Sequence, residues 1–250
     1  MMAQVCNSGN TKASVLQGSV AFIGGLVGNP EETPTKKDPQ MSDFLSAFCR
    51  LRPFAFHLTA LSNVDTIRST GYLYSAQHIL TASGQEQWLG IKRSAPLGVK
   101  LEGSQVLLRD QKPLHERNIA FCRGMNFEAF IRSLNAKVFF WPGDADGPIR
   151  CGRSHYERYR EECPTILRIP TLELLLANPT ADPLFCCCNS GSPRCYEGLP
   201  RPRGRETFLS AEDFGDRPSR VMELVFENKA ALPNSTAFST SGFSAFKPLF

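Results

Sequence analysis

Apolar and polar positions alternate over Phe54–Thr59 (FAFHLT), and this aromatic run predicts a strand. Ahead of it, Ser42-Asp43 precedes Phe44-Leu45-Ser46-Ala47-Phe48, a capped, short amphipathic helix that Pro53 ends. After it, Val64, Ile67 and Arg68 fall at helical spacing within Ser62–Ser69, and Gly71 offers the C-cap. Tyr72–Ala76 then opens a second extended segment. This strand, short helix and glycine turn puts the ends of His57 and Thr59 beside a helix N-terminus, where anionic ligand groups are favoured.

Further strands are expected at Ser104–Arg109, Lys137–Trp141, Thr165–Pro170, Phe185–Cys188 and Arg220–Phe226. Helices are expected at Asn126–Leu134, Ser154–Glu162 and Leu172–Ala177. Residues 189–206 read as a long Gly/Pro/Arg-rich loop, and 234–246 as a loosely packed tail. Residues 28–40 (GNPEETPTKKDPQ) read as a linker, so a flexible segment over 1–40 is expected to precede one domain over 41–250. Short strands with irregularly interspersed helices predict an α+β fold rather than a doubly wound sheet. No Gly-x-Gly-x-x-Gly follows a strand and no Walker A run is present, which argues against Rossmann and P-loop nucleotide sites.

Composition narrows the picture. The 250 residues are 42% hydrophobic with 18 Phe, enough for a sizeable core. A net charge of +4 permits a nucleic-acid partner without requiring one. Nine Cys, an odd number with three adjacent, do not resemble a secreted disulfide framework. They point to unpaired thiols in a reducing, cytoplasmic setting, with Cys186–Cys188 read as small apolar residues filling a strand rather than as a zinc site. No apolar run reaches the ~18 residues that span a bilayer, Val15–Val27 being the nearest, and no membrane partner is expected.

The candidate chemistry sits at strand ends. His57 and Thr59 are two apart on one strand and share a face. Arg109 closes a strand. Glu223 lies within Val221–Phe226, where an unpartnered carboxylate is costly to bury. Each residue alone also fits a structural role: His57 as a hydrogen-bonded histidine, Glu223 as a solvent-facing edge residue, Arg109 as a turn residue. His78, His115 and His155 carry no motif and are expected at the surface.

Phe56-His57-Leu58-Thr59, then Ser62-Asn63-Val64, Ile67 and Gly71, resembles the opening of the DarT-type ADP-ribosyltransferase toxins, with Val64 in place of the usual Leu. Arg109-Asp110-Gln111-x-Pro113-Leu114, followed by Leu134-Asn135-x-x-Val138-Phe139-Phe140-Trp141, is similar to a bacterial family of uncharacterised domains related to the same fold. Val221-Met222-Glu223-Leu224-Val225 resembles the late strand that carries the catalytic glutamate. The fragments span roughly residues 44–233 in the family's order.

The resemblance implies a split β-sheet core with NAD across the cleft as co-substrate. It implies that His57 and Thr59 hold a ribose region, that Arg109 stabilises charge nearby, and that Glu223 is the catalytic acid/base. A carboxylate suits this role because cleavage of the nicotinamide–ribose bond passes through an oxocarbenium-like state. Asn63, Gly71, Tyr74 and Phe140 complete the expected cofactor contacts, Tyr74 and Phe140 as stacking partners for nicotinamide. The chain lacks the Arg-Ser-Pro-Met run of the DNA-modifying toxins, and also the Glu-x-Glu pair and Ser-Thr-Ser strand of arginine-specific protein modifiers. Arg194, Arg201, Arg203 and Arg205, with Tyr196 interleaved, suggest a single-stranded DNA or RNA acceptor through phosphate contacts and base stacking. A toxin or phage-defence effector of this kind would have an antitoxin or inhibitor protein as partner. The alternatives are a protein-modifying transferase, an NAD glycohydrolase, and a catalytically degenerate nucleotide-binding module.

Overall fold

The computed structural model describes residues 42–122, 124–215 and 217–250, so the expectations for 1–40 lie outside the described residues. Ser42 caps α1 (Asp43–Leu51), its side chain accepting the Leu45 N–H. β1 follows over Phe54–Thr59, as the alternation predicts. α2 (Val64–Thr70) ends at Gly71, whose φ of 72° is the left-handed cap that glycine adopts without a Cβ penalty. β2 covers only Tyr72–Tyr74, because the Ser75 hydroxyl accepts the His78 N–H and starts α3 (Ala76–Ala82). β3 (Leu97–Leu101) and β4 (Ser104–Leu108) form a hairpin over Glu102-Gly103.

The chain continues through β5 (Ile119–Phe121), α4 (Phe127–Asn135), β6 (Lys137–Asp144), β7 (Gly147–Pro148), α5 (Arg150–Tyr159), β8 (Thr165–Pro170), α6 (Thr171–Leu176) and β9 (Leu184–Cys186). It closes with β10 (Arg201–Arg203), α7 (Ala211–Phe214), β11 (Glu223–Glu227), β12 (Lys229–Ala231), β13 (Ala237–Ser239) and β14 (Lys247–Pro248). Two expected loops are more ordered than their composition suggests. Within 189–206, β10 pairs in parallel with β5; within 234–246, β13 pairs with β8 and extends the main sheet. β11 starts at Glu223 rather than Arg220, because Pro218–Arg220 form a 3-10 turn.

The architecture is α+β. Its main sheet has the order β14-β13-β8-β1-β6-β11-β9, with β7 on β6, and two-stranded pieces β5–β10, β2–β12 and β3–β4 lie around it. One face carries Phe48 of α1, Ile67 of α2 and Leu174 of α6 against Phe140, Leu167, Leu224 and Phe226. On the other face α4 packs Phe130 and Ile131 on Val225 and Phe139, while Tyr159 of α5 packs with Phe56, Leu58 and Trp141. The hairpin keeps a small core of its own with α3, formed by Val99, Leu101, Val106 and Leu108 against Ile79 and Leu80.

β6 divides its backbone between two partners. Its outer residues Trp141–Gly143 pair with Phe56–Phe54 of β1, and its inner residues Lys137–Phe140 pair with Glu227–Leu224 of β11. The β1–β6 register ends at Phe56–Trp141, although β1 stays paired with β8 along its whole length. Beyond that point the His57 imidazole meets the Phe139 carbonyl at 2.9 Å, so a side-chain bond stands where the next ladder bond would be.

α5 begins at Arg150, four residues earlier than its charge pattern suggests. Gly152 permits this, since a Cβ there would lie 2.9 Å from the Trp141 ring and 2.7 Å from Pro148. A Gly152→Ala substitution therefore forces the helix off Trp141. Overpacking of this kind costs about 1–3 kcal/mol, which urea unfolding of the variant against wild type measures.

Candidate functional site

A cavity of about 710 Å³ opens where β1 and β6 part company. His57 and Thr59 of β1, Trp141 of β6, Glu223 of β11 and Arg109 beyond β4 all line it. Tyr74 and Asn63 line it too, so the structure brings together most of the residues that the sequence singles out. Its size falls within the roughly 300–1,000 Å³ of ligand sites.

Glu223 is 3% exposed at the start of β11, directly across from Cys186 of β9. Both of its carboxyl oxygens accept from the Ser190 N–H, at 3.1 and 3.2 Å. Burial raises its pKa to about 8, opposed by the Ser190 bonds and by Arg203. Much of it is therefore protonated near neutral pH, when it can donate a hydrogen bond.

His57 faces the Phe139 carbonyl through Nδ1, which makes Nδ1 the donor and leaves Nε2 as an acceptor. Burial lowers its pKa to about 4, with the Arg109 charge adding to the effect, so the ring is neutral. Asn63 is a brace. Its Nδ2 donates to Thr59 Oγ1 (3.1 Å) and to the Leu107 carbonyl (3.0 Å), and its Oδ1 accepts the Leu107 N–H (2.8 Å). Every donor and acceptor of that amide fixes β4 to β1, so Asn63 shapes the cavity by holding its walls.

Arg109 pairs with Glu162 at 2.8 Å and lies 4.4 Å over the Tyr159 ring. Tyr159 in turn contacts His155 at 4.9 Å, and His155 contacts Trp141 at 4.6 Å. His155 therefore lines the cavity instead of the surface, because α5 turns it inward against Trp141. Burial takes its pKa down to about 3, reinforced by Arg109.

Two residues missed in the sequence belong here as well. Arg93 is 6% exposed and makes no ion pair among the described residues. Its Nε donates to the Arg109 carbonyl and its Nη1 to Asn135 Oδ1, which also accepts from Gln111. The Arg109-Asp110-Gln111 and Leu134-Asn135 segments, far apart in sequence, thus meet through a buried cation. Asp110 is 6% exposed; its Oδ1 accepts from Tyr159 and from the Lys112 N–H, and its buried Oδ2 pairs with the Lys112 ammonium at 3.4 Å. The buried Trp141 indole N–H has no hydrogen-bond partner among the described residues. A free donor thus belongs to a residue that lines the cavity, where a polar ligand can use it.

Some expected site residues lie elsewhere. Phe140 is fully buried and packs edge-on against Phe226 at 5.9 Å, so it is a core residue with no face for a nicotinamide. Gly71 acts as the α2 cap and does not line the cavity. Tyr74 lines the cavity, but its ring is stacked on His78 at 4.3 Å. Arg203 is 6% exposed behind Glu223, whereas Arg194, Arg201 and Arg205 are exposed. Burial of the planar fork keeps Arg203 from the outer surface that phosphate contacts would need.

A family model matches residues 53–236, from just before β1 to just beyond β12, a span that holds every residue lining the cavity. The chain belongs to the family of unknown function DUF7002. No curated protein and no solved structure matches it.

The buried carboxyl of this DUF7002 chain has a consequence for stability. Glu223 binds its proton more tightly when folded, at about 8, than at its ordinary 4.5, so the stability it contributes is full at low pH and falls as pH rises from about 4.5 through 8. His57 works at the other limb: its folded value of about 4 against an ordinary 6.5 removes stability as pH falls between those values. Glu223→Gln is expected to abolish the alkaline fall and to exceed wild type in stability above pH 8, as read by urea unfolding between pH 6 and 9.

Proposed function

We propose that this chain is an ADP-ribosyltransferase that uses NAD as co-substrate and modifies single-stranded nucleic acid. The observation that carries the reading is the parting of β1 from β6 over a cavity that has neutral His57 and Thr59 on β1 and a buried, proton-bearing carboxyl on β11. A sheet split in this way supports an ADP-ribosyltransferase-like core.

The groups present fit NAD. Arg93 is a buried cation that makes no ion pair among the described residues, although the Asp110 charge acts on it; it suits a diphosphate, and Arg109, paired with Glu162, adds a second planar donor. The acceptor nitrogen of His57 and the hydroxyl of Thr59 suit ribose hydroxyls. The free Trp141 N–H suits an amide oxygen or a sugar hydroxyl. NAD supplies the ADP-ribosyl group and a nicotinamide leaving group.

Glu223 then has two states to use. Protonated, it donates to a ribose hydroxyl. Ionised, it favours the positive charge that grows at the ribose carbon and can take the proton of an attacking nucleophile. The cationic nicotinamide ring lowers the carboxyl's pKa, so binding drives the change from the first state to the second. On the outside, the Arg201 guanidinium lies 4.5 Å over the Tyr196 ring, an exposed pair suited to a base and its phosphate, with Arg194 and Arg205 nearby in sequence.

The test is label transfer. With NAD labelled in its adenylate part, wild-type protein is expected to label single-stranded DNA or RNA, and Glu223→Gln to lose at least 100-fold of that rate. Label on protein alone, or free ADP-ribose alone, overturns the nucleic-acid acceptor; no nicotinamide release from wild type overturns the transferase itself. NAD binding is further expected to release protons between pH 6 and 8 in wild type but not in Glu223→Gln. Calorimetry in buffers of different ionisation enthalpy measures the difference.

A further inference from the structure

Behind Glu223, where β9 ends, the chain bends at Cys187 and Cys188. The bend turns the side chains of Cys186 and Cys188 to the same side and brings their sulfurs to 3.2 Å. Cys186 is fully buried, Cys188 is half-buried, and Cys187 between them is exposed. The Cys186 carbonyl is held by the Met222 N–H at 2.8 Å and Cys186 pairs with Glu223 of β11, so one cysteine's backbone is anchored in the sheet while the other sits on the loop.

The two thiols differ in chemistry. Cys188 is pulled down to about 7 by the hydrogen bond from Cys186, with burial opposing and the Arg203 charge assisting. Cys186 is pushed up by the same bond and by burial. One sulfur is therefore a nucleophile near neutral pH, and its neighbour holds a proton ready to leave, the division of labour of an oxidisable pair.

We propose that Cys186 and Cys188 are a site of reversible oxidation by hydroperoxides, with Cys188 attacking and Cys186 resolving. The Cys188 thiolate displaces hydroxide from hydrogen peroxide, forming a sulfenic acid; a proton converts the hydroxide to water. The Cys186 thiol then attacks the Cys188 sulfur, the S–S bond forms, and the sulfenic hydroxyl leaves with the Cys186 proton as a second water. The pair loses two electrons and the peroxide gains them. Closure needs the sulfurs to move from 3.2 Å to the ~2.05 Å of a disulfide, a shift that the loop after β9 can supply.

The site reaches Glu223. Ser190, two residues beyond Cys188, is the N–H that both carboxyl oxygens share. The Cys188 charge also helps to keep Glu223 protonated, and oxidation removes that charge. This inference stands on the thiols themselves and does not depend on the NAD reading.

The experiment uses the full chain with Cys187→Ser, so that one exposed thiol does not obscure the others. After treatment with hydrogen peroxide and then iodoacetamide, the peptide spanning 186–188 is expected to lack both alkyl groups and to be lighter by two hydrogens. Dithiothreitol is expected to restore two alkylations. With Cys186→Ser added, dimedone is expected to trap a sulfenic acid at Cys188; with Cys188→Ser added, no adduct should form at Cys186. Circular dichroism of each variant confirms that the fold is kept, and the parent chain needs neither added substitution. Two alkylations surviving at peroxide levels that oxidise other thiols, or a bridge from Cys188 to Cys151 instead, overturns the proposal.

Discussion

Strand β6 has one backbone to share between two neighbours, and the sharing organises the centre of this molecule. A fully paired β1–β6–β11 sheet would leave no room between strands. Here the outer half of β6 belongs to β1 and the inner half pairs with β11. The opening needs its own hydrogen-bond partners, because a buried carbonyl left unpaired costs roughly 1–3 kcal/mol. His57 supplies one for Phe139, and the Asn63 amide supplies the matching pair of bonds for Leu107 on the hairpin wall. Side chains thus replace ladder bonds, and the His57 replacement also leaves an acceptor nitrogen at the cavity edge.

That economy explains the electrostatic character of the site. Groups whose charge would be welcome on a surface are drawn inward: Glu223 holds its proton, while His57 and His155 give theirs up. Arg93 and Arg109 supply positive charge, set against Glu162, which pairs with Arg109, and Asp110, which Lys112 and Tyr159 hold low against the opposing effect of burial. A site so arranged changes its charge through small movements of protons rather than of backbone.

Much of the fold is legible in the chain. β1 and β8 coincide with their apolar patterns because each is flanked by strands on both edges and packed on both faces, so burial and sequence agree. β13 is not legible: its Ser, Thr and Phe neighbours show no alternation, and it becomes a strand only by pairing with Arg168–Ile166 on the edge of β8. The same holds within the site. Glu223 and His57 stand out because a polar residue interrupts an apolar run. His155 does not, since Ser154–Glu162 reads as a charged helix, and only the start at Arg150 with Gly152 against Trp141 turns His155 inward. Arg93 is an arginine in a loop until the Arg109 carbonyl and Asn135, distant in sequence, are folded around it. Phe140 misleads in the opposite sense: an aromatic residue next to a cavity strand looks like a ligand contact, yet its alternation turns it into the core with Phe226.

The β3–β4 hairpin gives the cavity part of its apolar wall through Leu101, Val106, Leu107 and Leu108, yet it is absent from the main sheet and packs chiefly on its own small core with α3. Units with a separate core open with a lower free energy than the global one. Among the described residues, the side-chain bonds that tie this unit to the strand carrying His57 run through the Asn63 amide. Parting of the Asn63 bonds would free the Leu107 N–H and loosen that wall of the cavity, so hydrogen exchange at Leu107 reads out how often the wall yields.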